Sequence, residues 1–235
     1  MTVDTSAALS ALAVTRIVHF TPVMNLLPIF RDGLLRSSKD LAENAPTQFS
    51  PTDRARYDAH PDYLCCSFEY PNAYYQDFAS KKAEYANYPA WVCLILDLAL
   101  VLRPGTLFSA CNAAKSYGAH LKEGGQALLD CWASPTAPAN VHRKPRHNPA
   151  VPTDLQTEVL IPGPIPLSAV SAIVTPSPEQ AREQFGFLHR QKLNPSQVEW
   201  RYAPLFYSRY DLRDAIWYNH SIPETVWMPS PEDLA

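Results

Sequence analysis

The sequence predicts an α+β fold, and three features of the chain support that prediction. Segments of strand character recur along the chain, and the clearest, residues 91–97, is nearly all apolar, which is typical of a central strand. Short amphipathic segments, such as residues 23–32, carry apolar side chains at helical spacing. Strands and helices do not alternate regularly, so a doubly wound α/β fold is disfavoured.

The predicted elements follow in order along the chain. Gly33 is a natural stop for the first helix, and Pro162 and Gly163 close the strand that begins at Glu158. The predicted strands are residues 15–20, 34–35, 63–68, 91–97, 106–110, 158–161 and 173–174. The predicted helices are residues 23–32, 73–85, 124–132 and 177–189.

Residues 36–60 are predicted to be a long polar loop, of a length that is usually functional or disordered. Residues 111–152 are predicted to be a second long, variable loop region that includes the helix over 124–132. We expect three regions in the chain. Residues 1–14 form an N-terminal segment, residues 15–175 form the core, and residues 176–235 form a helical and aromatic extension packed on that core.

The composition excludes several classes of protein. The net charge of −3 over 235 residues argues against a broad coat of nucleic acid, although it allows a local basic groove. No apolar run approaches roughly 20 residues, and no Lys or Arg precedes Arg16, so neither a membrane span nor a signal peptide is expected. The five cysteines are scattered without a C-x-x-C pair, which predicts reduced thiols in the cytoplasm and no metal site.

A carboxylate at the start of an apolar strand is the most informative single residue. Burying Glu158 without a partner is costly, so a position in a cleft is preferred. Gln156 precedes it by two residues and is predicted to share its face, so both would reach the same substrate if that face opens into a cleft. The alternative is an edge strand with a solvated polar start. The phosphate-binding glycine motifs, the G-x-S-x-G motif and the H-E-x-x-H motif are all missing from the sequence.

Several short motifs follow one another along the chain in a specific order and spacing. They are His19–Phe20–Thr21, Asn25–Leu26–Leu27–Pro28–Ile29, Asp32–Gly33–Leu34–Leu35 and residues 53–62, 67–75, 103–108, 112–114 and 152–160. Together, over about residues 15 to 175, these motifs resemble the DarT family of DNA ADP-ribosyltransferases.

This resemblance implies an ADP-ribosyltransferase fold, a split mixed β-sheet with the co-substrate NAD in a central cleft. Glu158 would be the catalytic glutamate, and Arg56, favoured over Arg54, would contact the phosphates and the nicotinamide side. One of two neighbouring tyrosines would stack on nicotinamide. The implied NAD-binding residues are His19, Thr21, Asn25, Leu34, Arg56, Tyr74 and Tyr75.

The resemblance also implies single-stranded DNA as the acceptor. Gln156 would orient the acceptor, basic side chains of the second long loop would follow the phosphate backbone, and Trp132 or Tyr117 would stack a base. The basic candidates are Lys115, Lys122, Arg143, Lys144 and Arg146. The alternative is that residues 142–147 form a solvated loop with no role in binding.

The implied function is that of a cytoplasmic toxin, neutralised by an antitoxin that removes the ADP-ribose. Two alternatives remain open. In the first, a protein of the same fold transfers ADP-ribose to RNA, protein or water instead of DNA. In the second, the chain is an inactive module that only binds nucleic acid. The sequence does not decide between thymine and guanine as the modified base.

Overall fold

A computed structural model describes residues 3–44, 57–82 and 90–234 of the chain. Several short 3₁₀ turns connect its helices and strands. The helices are α1 (Thr5–Ser10), α2 (Leu26–Asp32), α3 (Ser38–Asn44), α4 (Ala73–Ser80), α5 (Gly125–Asp130), α6 (Pro178–Arg190) and α7 (Arg209–Tyr218). The strands are β1 (Arg16–Pro22), β2 (Leu34–Leu35), β3 (Tyr63–Phe68), β4 (Trp91–Asp97), β5 (Leu107–Ser109), β6 (Lys122–Glu123), β7 (Glu158–Pro162), β8 (Ile165–Pro166), β9 (Val170–Thr175), β10 (Glu199–Tyr202) and β11 (Thr225–Trp227).

A mixed sheet organises the molecule. Its strands lie in the order β11-β10-β9-β4-β1-β3-β7-β5-β6, and β2 pairs separately with β8. The pair of β9 and β10 is parallel, whereas the other pairs are antiparallel. The strand β4 is central and nearly all buried, as its apolar sequence predicts.

The sheet splits between β1 and β3. These two strands pair only where Ile17 faces Phe68 and Val18 faces Ser67. Beyond that point β1 continues along β4, while the other end of β3 continues along β7. The two halves of the sheet therefore diverge and leave a cleft between them, which is the split mixed sheet that we expected.

Helices cover both faces of the sheet. Ile17 packs in one cluster with side chains of α2, α5 and α6, including Phe185. Val18, its neighbour in β1, faces the other way and packs in a second cluster with Phe206. Tyr70 packs against both this second cluster and a third cluster, which contains Leu212 of α7. The helices α6 and α7 therefore lie on opposite faces.

The structure refines the predicted elements. Gly33 ends α2 with a left-handed φ of 69°, a conformation that favours glycine. The predicted helix over residues 73–85 is too long, because α4 ends at Ser80. The segment expected to be a loop over 36–60 contains α3. The C-terminal region adds β10 and β11 to the sheet, and the division into three regions stays a prediction.

Among the described residues no helix is both long enough and apolar enough to cross a membrane. All five cysteines are free thiols, and four of them are buried.

Candidate active site

The split between β1 and β3 opens into a cleft of about 200 Å³. Its lining brings together most of the described residues that were predicted to bind NAD or to act in catalysis. They are His19, Thr21, Asn25, Leu34, Tyr75 and Glu158. The lining also contains polar and thiol side chains that were not predicted to have a role. They include Arg36, Ser37, Ser38, Asp58, Cys65, Cys66, Ser67, Asn72 and Asn112.

The β1 side of the cleft is held by short hydrogen bonds. His19 Nδ1 lies 2.8 Å from the carbonyl oxygen of Cys65 on β3, across the split. Because a carbonyl can only accept, Nδ1 carries the hydrogen, and the ring orientation is fixed. Thr21 is buried, and its Oγ1 accepts a hydrogen bond of 2.7 Å from Asn25 Nδ2. The motif residues of β1 and the following turn therefore form one rigid wall.

Another part of the lining comes from the start of α4. Asn72 caps this helix, because its Oδ1 accepts the N–H of Tyr75 at 3.1 Å. Asn72 is 3 % exposed, and its Nδ2 has no hydrogen-bond partner among the described residues. A buried amide without a partner is costly, so this donor is a candidate contact for a substrate oxygen. The sequence signal for it was an Asn directly before a predicted helix.

Only one of the two neighbouring tyrosines lines the cleft. The ring of Tyr75 lies 5.8 Å from the ring of Phe20 on β1. Tyr74 points to a second, smaller cavity, where the guanidinium carbon of Arg209 lies 4.4 Å from its ring centre. Of the two candidates for stacking on nicotinamide, the structure therefore favours Tyr75.

Glu158 is the first residue of β7 and lies at the base of the cleft. It is 9 % exposed, and its Oε2 accepts the N–H of Ala113 at 2.8 Å. This bond orients the carboxylate and joins the second long loop to β7. Burial, together with the charge of Glu158, raises the pKa of the Cys66 thiol, so that thiol stays protonated. Of these two neighbouring groups, Glu158 is therefore the one that can accept a proton, as its predicted role requires.

One arginine lines the described part of the cleft, and it is not the one that the sequence singled out. Arg56 lies outside the described residues, so its predicted role stays a prediction. Among the described lining residues, Arg36 is the only Lys or Arg. Its guanidinium donates to Asp40 at 3.0 Å and to Asp32 at 3.2 Å, and the hydrogen bond to Asp40 is the main reason that the pKa of Arg36 is raised. Arg36 is therefore held as a cation at the wall of the cleft.

The turn before β7 does not place Gln156 as the strand rule predicted. The strand β7 begins at Glu158, and the preceding turn is closed by the bond from Thr157 N to Asp154 O at 3.0 Å. Gln156 N donates to the side chain of Asp154 at 2.9 Å. Because Gln156 lies in a turn, the rule that residues i and i+2 share a face does not apply to it. Its predicted acceptor role stays a prediction.

The aromatic candidate of the second long loop is packed inward. The ring of Trp132 lies 5.1 Å from that of Phe68 with an edge-on geometry, and its Nε1 donates to Pro149 O. The other aromatic candidate, Tyr117, is 77 % exposed and lies 6.0 Å from the ring of Tyr57. Tyr117 is therefore the better placed of the two to meet a base.

The predicted basic side chains are not equivalent. Arg143 is half-buried, and its Nη atoms donate to Asn148 O at 2.7 Å and to Thr153 Oγ1 at 3.3 Å, which ties the loop together. Burial lowers its pKa. The others are exposed and do not line the cleft: Lys115, Lys122, Lys144 and Arg146.

His147, at the end of the predicted basic run, is 7 % exposed rather than solvated. Burial, helped by the charge of Arg143, lowers the pKa of His147 from 6.5 to about 4. In the unfolded chain this imidazole takes up a proton near its ordinary pKa, whereas in the folded chain it stays neutral down to about pH 4. The stability that it contributes is therefore complete above pH 6.5 and is lost as the pH falls towards 4.

We expect the free energy of unfolding to fall by up to about 3 kcal/mol from this group as the pH drops from about 6.5 to about 4. Urea unfolding at a series of pH values measures this. His147→Gln should flatten the dependence in that window, whereas His142→Gln, at an exposed position, should retain it. The same pH dependence in wild type and His147→Gln would contradict the assignment.

Within the described part of the chain, no group of three or more His, Cys, Asp or Glu side chains could hold a metal ion.

Comparisons with known proteins agree with this geometry. The DarT family, described as ssDNA thymidine ADP-ribosyltransferase, matches residues 18–207. DarT of Thermus sp. 2.9 in complex with NAD⁺ has a TM-score of 0.53 and 16 % identity, over 83 % of this chain and 98 % of that chain. The same enzyme in complex with ADP-ribosylated ssDNA has a TM-score of 0.51 and 16 % identity, over 78 % and 96 %.

A third structure, Thermosipho africanus DarTG in complex with ADP-ribose, has a TM-score of 0.54 and 12 % identity. It is matched over 82 % of this chain and 51 % of that chain. No curated protein gives a significant match.

The split sheet and its cleft define the ADP-ribosyltransferase class of fold. Because the family match covers residues 18–207, which is most of the chain, the chain belongs to the DarT family of single-stranded DNA thymidine ADP-ribosyltransferases. The predicted family, fold and NAD-dependent DNA-modifying activity are thereby confirmed. The roles of individual residues stay predictions.

Proposed function

We propose that this chain transfers ADP-ribose from NAD⁺ to a thymine base of single-stranded DNA, with Glu158 as the catalytic carboxylate. The observation that carries the proposal is the buried carboxylate of Glu158 in the same cleft as the His19 and Thr21 wall. Membership of a family of ssDNA thymidine ADP-ribosyltransferases supports the acceptor and the base. DarT structures bound to NAD⁺ and to modified ssDNA support the donor and the strand.

The cleft residues fit NAD⁺. Tyr75 offers a ring face for nicotinamide, and Asn72 offers a buried amide donor for a carbonyl or hydroxyl oxygen. The linked pair of Thr21 and Asn25 offers a hydroxyl and an amide for a ribose. A guanidinium suits a pyrophosphate because it can bind two oxygens at once. We assign that contact to Arg56, as predicted.

The chemistry requires a carboxylate where Glu158 lies. Transfer breaks the bond between ribose C1′ and the nicotinamide nitrogen, and it forms a bond from C1′ to the base. Positive charge develops on the ribose as nicotinamide leaves, and Glu158 stabilises that charge. In thymidine N1 is bonded to the sugar, so N3 carries the only ring N–H, and Glu158 accepts that proton as the base attacks. Nicotinamide departs as a neutral molecule, so charge and atoms balance.

The acceptor is tested by incubating the protein with NAD⁺ and separate pools of ssDNA, dsDNA, RNA and protein. We expect only ssDNA to gain the mass of ADP-ribose, together with release of nicotinamide. Labelled RNA or protein, or free ADP-ribose as the sole product, would overturn the proposed acceptor.

Asn72 provides a sharp test of how the cleft holds its substrate. Ser keeps an oxygen that can cap α4 but removes the amide donor, and Asn, Asp and Ser are similar as helix caps. We expect Asn72→Ser to lower the transfer rate at limiting NAD⁺ by about tenfold, the scale of one lost hydrogen bond. Steady-state kinetics and thermal unfolding measure the two effects separately.

Asn72→Ala is the matched comparison, because it removes both the donor and the cap. It should lose activity like the Ser variant and in addition lose about 1 kcal/mol of stability. Full activity in Asn72→Ser would show that the amide does not contact the substrate.

A toxin role, a partner that removes ADP-ribose from DNA and a cytoplasmic location complete the proposal. Modified template bases harm the cell that makes the enzyme, so such an activity requires a countermeasure. Induced expression should arrest growth, Glu158→Gln should not, and co-expression of an ADP-ribose-removing hydrolase should rescue growth. Equal toxicity of wild type and Glu158→Gln would separate the growth arrest from the transfer reaction.

A further inference from the structure

The helix α7 carries an alternating row of rings and cations that the proposed chemistry does not use. The whole of this helix lies beyond residue 207, where the family match ends. Arg209, Arg213 and Trp217 are spaced by four residues and share one face of the helix. We call the whole row the α7 ladder, and its members in order are Tyr74, Arg209, Tyr210, Arg213, Trp217 and Lys144.

The contacts along the ladder are continuous. The guanidinium carbon of Arg209 lies 4.4 Å from the ring centre of Tyr74 and 5.3 Å from that of Tyr210. Arg213 lies in the same way between Tyr210, at 5.2 Å, and Trp217, at 4.8 Å. Lys144 Nζ lies 5.1 Å from the Trp217 ring. These distances are within the range of cation–π contacts, in which the face of an aromatic ring attracts a positive charge.

The ladder begins beside the turn that precedes Glu158. Tyr74, Arg209 and Arg213 line the small second cavity together with Asp154 and Thr157 of that turn. At the other end, Asn148 N donates to Ile216 O at 2.9 Å, which fixes α7 to the loop before the turn. Ser67 lines both the cleft and the second cavity, so the ladder lies close to the cleft.

Carboxylates neutralise part of the positive charge of the α7 ladder. Asp214 accepts from Arg213 Nε at 2.8 Å, and Asp77 lies 3.7 Å from Arg209 Nη1. Among the described residues, Lys144 forms no ion pair with a carboxylate within 4 Å. Tyr210 is 59 % exposed. Aromatic faces interleaved with cations suit a polymer that has flat bases and a phosphate at each step.

We propose that the α7 ladder binds the single-stranded DNA that flanks the target thymine. This inference rests on the proposed function, because it takes ssDNA as the acceptor. Bases stack on the exposed ring of Tyr210, and phosphates pair with Arg213 and Lys144. The C-terminal segment thereby lengthens the DNA footprint beyond the cleft, at a place that sequence alone predicted to be only a packing layer.

The test compares ssDNA oligonucleotides of about 4 and about 16 nucleotides, lengths that bracket a small and a large binding site. We expect Tyr210→Ser/Arg213→Gln to raise the Kd of the longer strand about tenfold and to leave the Kd of the shorter strand nearly unchanged. The slope of log Kd against log salt for the longer strand should fall by about 0.7, one phosphate contact. The matched control is Phe187→Ser/Arg190→Gln on α6, which changes the same kinds of exposed side chain on the opposite face.

The outcomes distinguish this inference from the proposed function. If wild type neither binds nor modifies ssDNA, the proposed function fails. If wild type modifies ssDNA but the ladder variant binds the longer strand like wild type, or the α6 control loses as much affinity, the ladder is overturned. If the variant does not fold, photocrosslinking of bromodeoxyuridine-containing ssDNA to the wild-type protein tests whether DNA lies on the ladder. Adducts at Tyr210 or Trp217 support the ladder, and adducts found only elsewhere overturn it.

Discussion

Replacing Glu158 with Gln is expected to lower ADP-ribosyl transfer by about 10²–10³-fold, because a preorganised charge is removed from the ribose at the moment it becomes positive. The Gln side chain still offers an oxygen to the N–H of Ala113, which now donates to Glu158 Oε2 at 2.8 Å. The loop and β7 should therefore keep their places. Initial rates of nicotinamide release and of DNA labelling measure the loss.

The control for this variant is Glu183→Gln, at an exposed position of α6. It makes the same chemical change away from the cleft and should keep the wild-type rate. Affinity of Glu158→Gln for ssDNA should also stay near that of wild type, since the carboxylate is not proposed to hold the strand. A Glu158→Gln enzyme with more than about a tenth of wild-type activity would remove Glu158 from its catalytic role.

Replacing Arg16 with Met is expected to lower the free energy of unfolding by about 2–3 kcal/mol, because hydrogen bonds between charged groups are lost at a largely buried site. Arg16 Nε donates to Glu69 O at 2.8 Å, and Nη1 donates to Glu224 Oε2 at 3.0 Å. Glu224 also accepts from Arg201 Nη1 at 3.0 Å. This network joins the segment before the edge strand β11 to the start of β1 in the middle of the sheet, so its loss weakens the contact between them.

Arg201→Met is the informative comparison. Arg201 is more exposed than Arg16, and its loss leaves the pair of Arg16 and Glu224 intact, so we expect a cost of about 1 kcal/mol. Burial acts to raise the pKa of Glu224, but its bonds to the two arginines lower it overall. The network therefore stabilises the fold above the ordinary pKa of a glutamate and is lost on acidification. Equal urea midpoints for the two variants would contradict this account.

Local sequence signals predicted the parts of the fold that depend on neighbouring residues. The apolar run of β4 and the stop at Gly33 are local features, and both are as predicted. The parallel pairing of β10 with β9 was not foreseen, because it depends on contacts across the sheet rather than on the sequence of either strand. The aromatic C-terminal segment was expected to pack on the core, and it also extends the sheet.

The candidate site shows the same division. The position of Glu158 in a cleft could be predicted from the sequence, because a charged residue at the start of an apolar strand is costly to bury. That of Asn72 could not, because its unpaired amide depends on how α4 docks against β3. Trp132 and Arg143 looked like surface contacts for DNA, yet tertiary packing turns one ring inward and ties one guanidinium to its own loop.

The most direct test of the central claim is the chemical identity of the product. Single-stranded DNA treated with NAD⁺ and the protein is digested to nucleosides, and the nucleosides are identified by mass. We predict thymidine carrying one ADP-ribose, formed by wild type and nearly absent with Glu158→Gln. An adduct on another base, or the thymidine adduct formed equally by Glu158→Gln, would contradict the account.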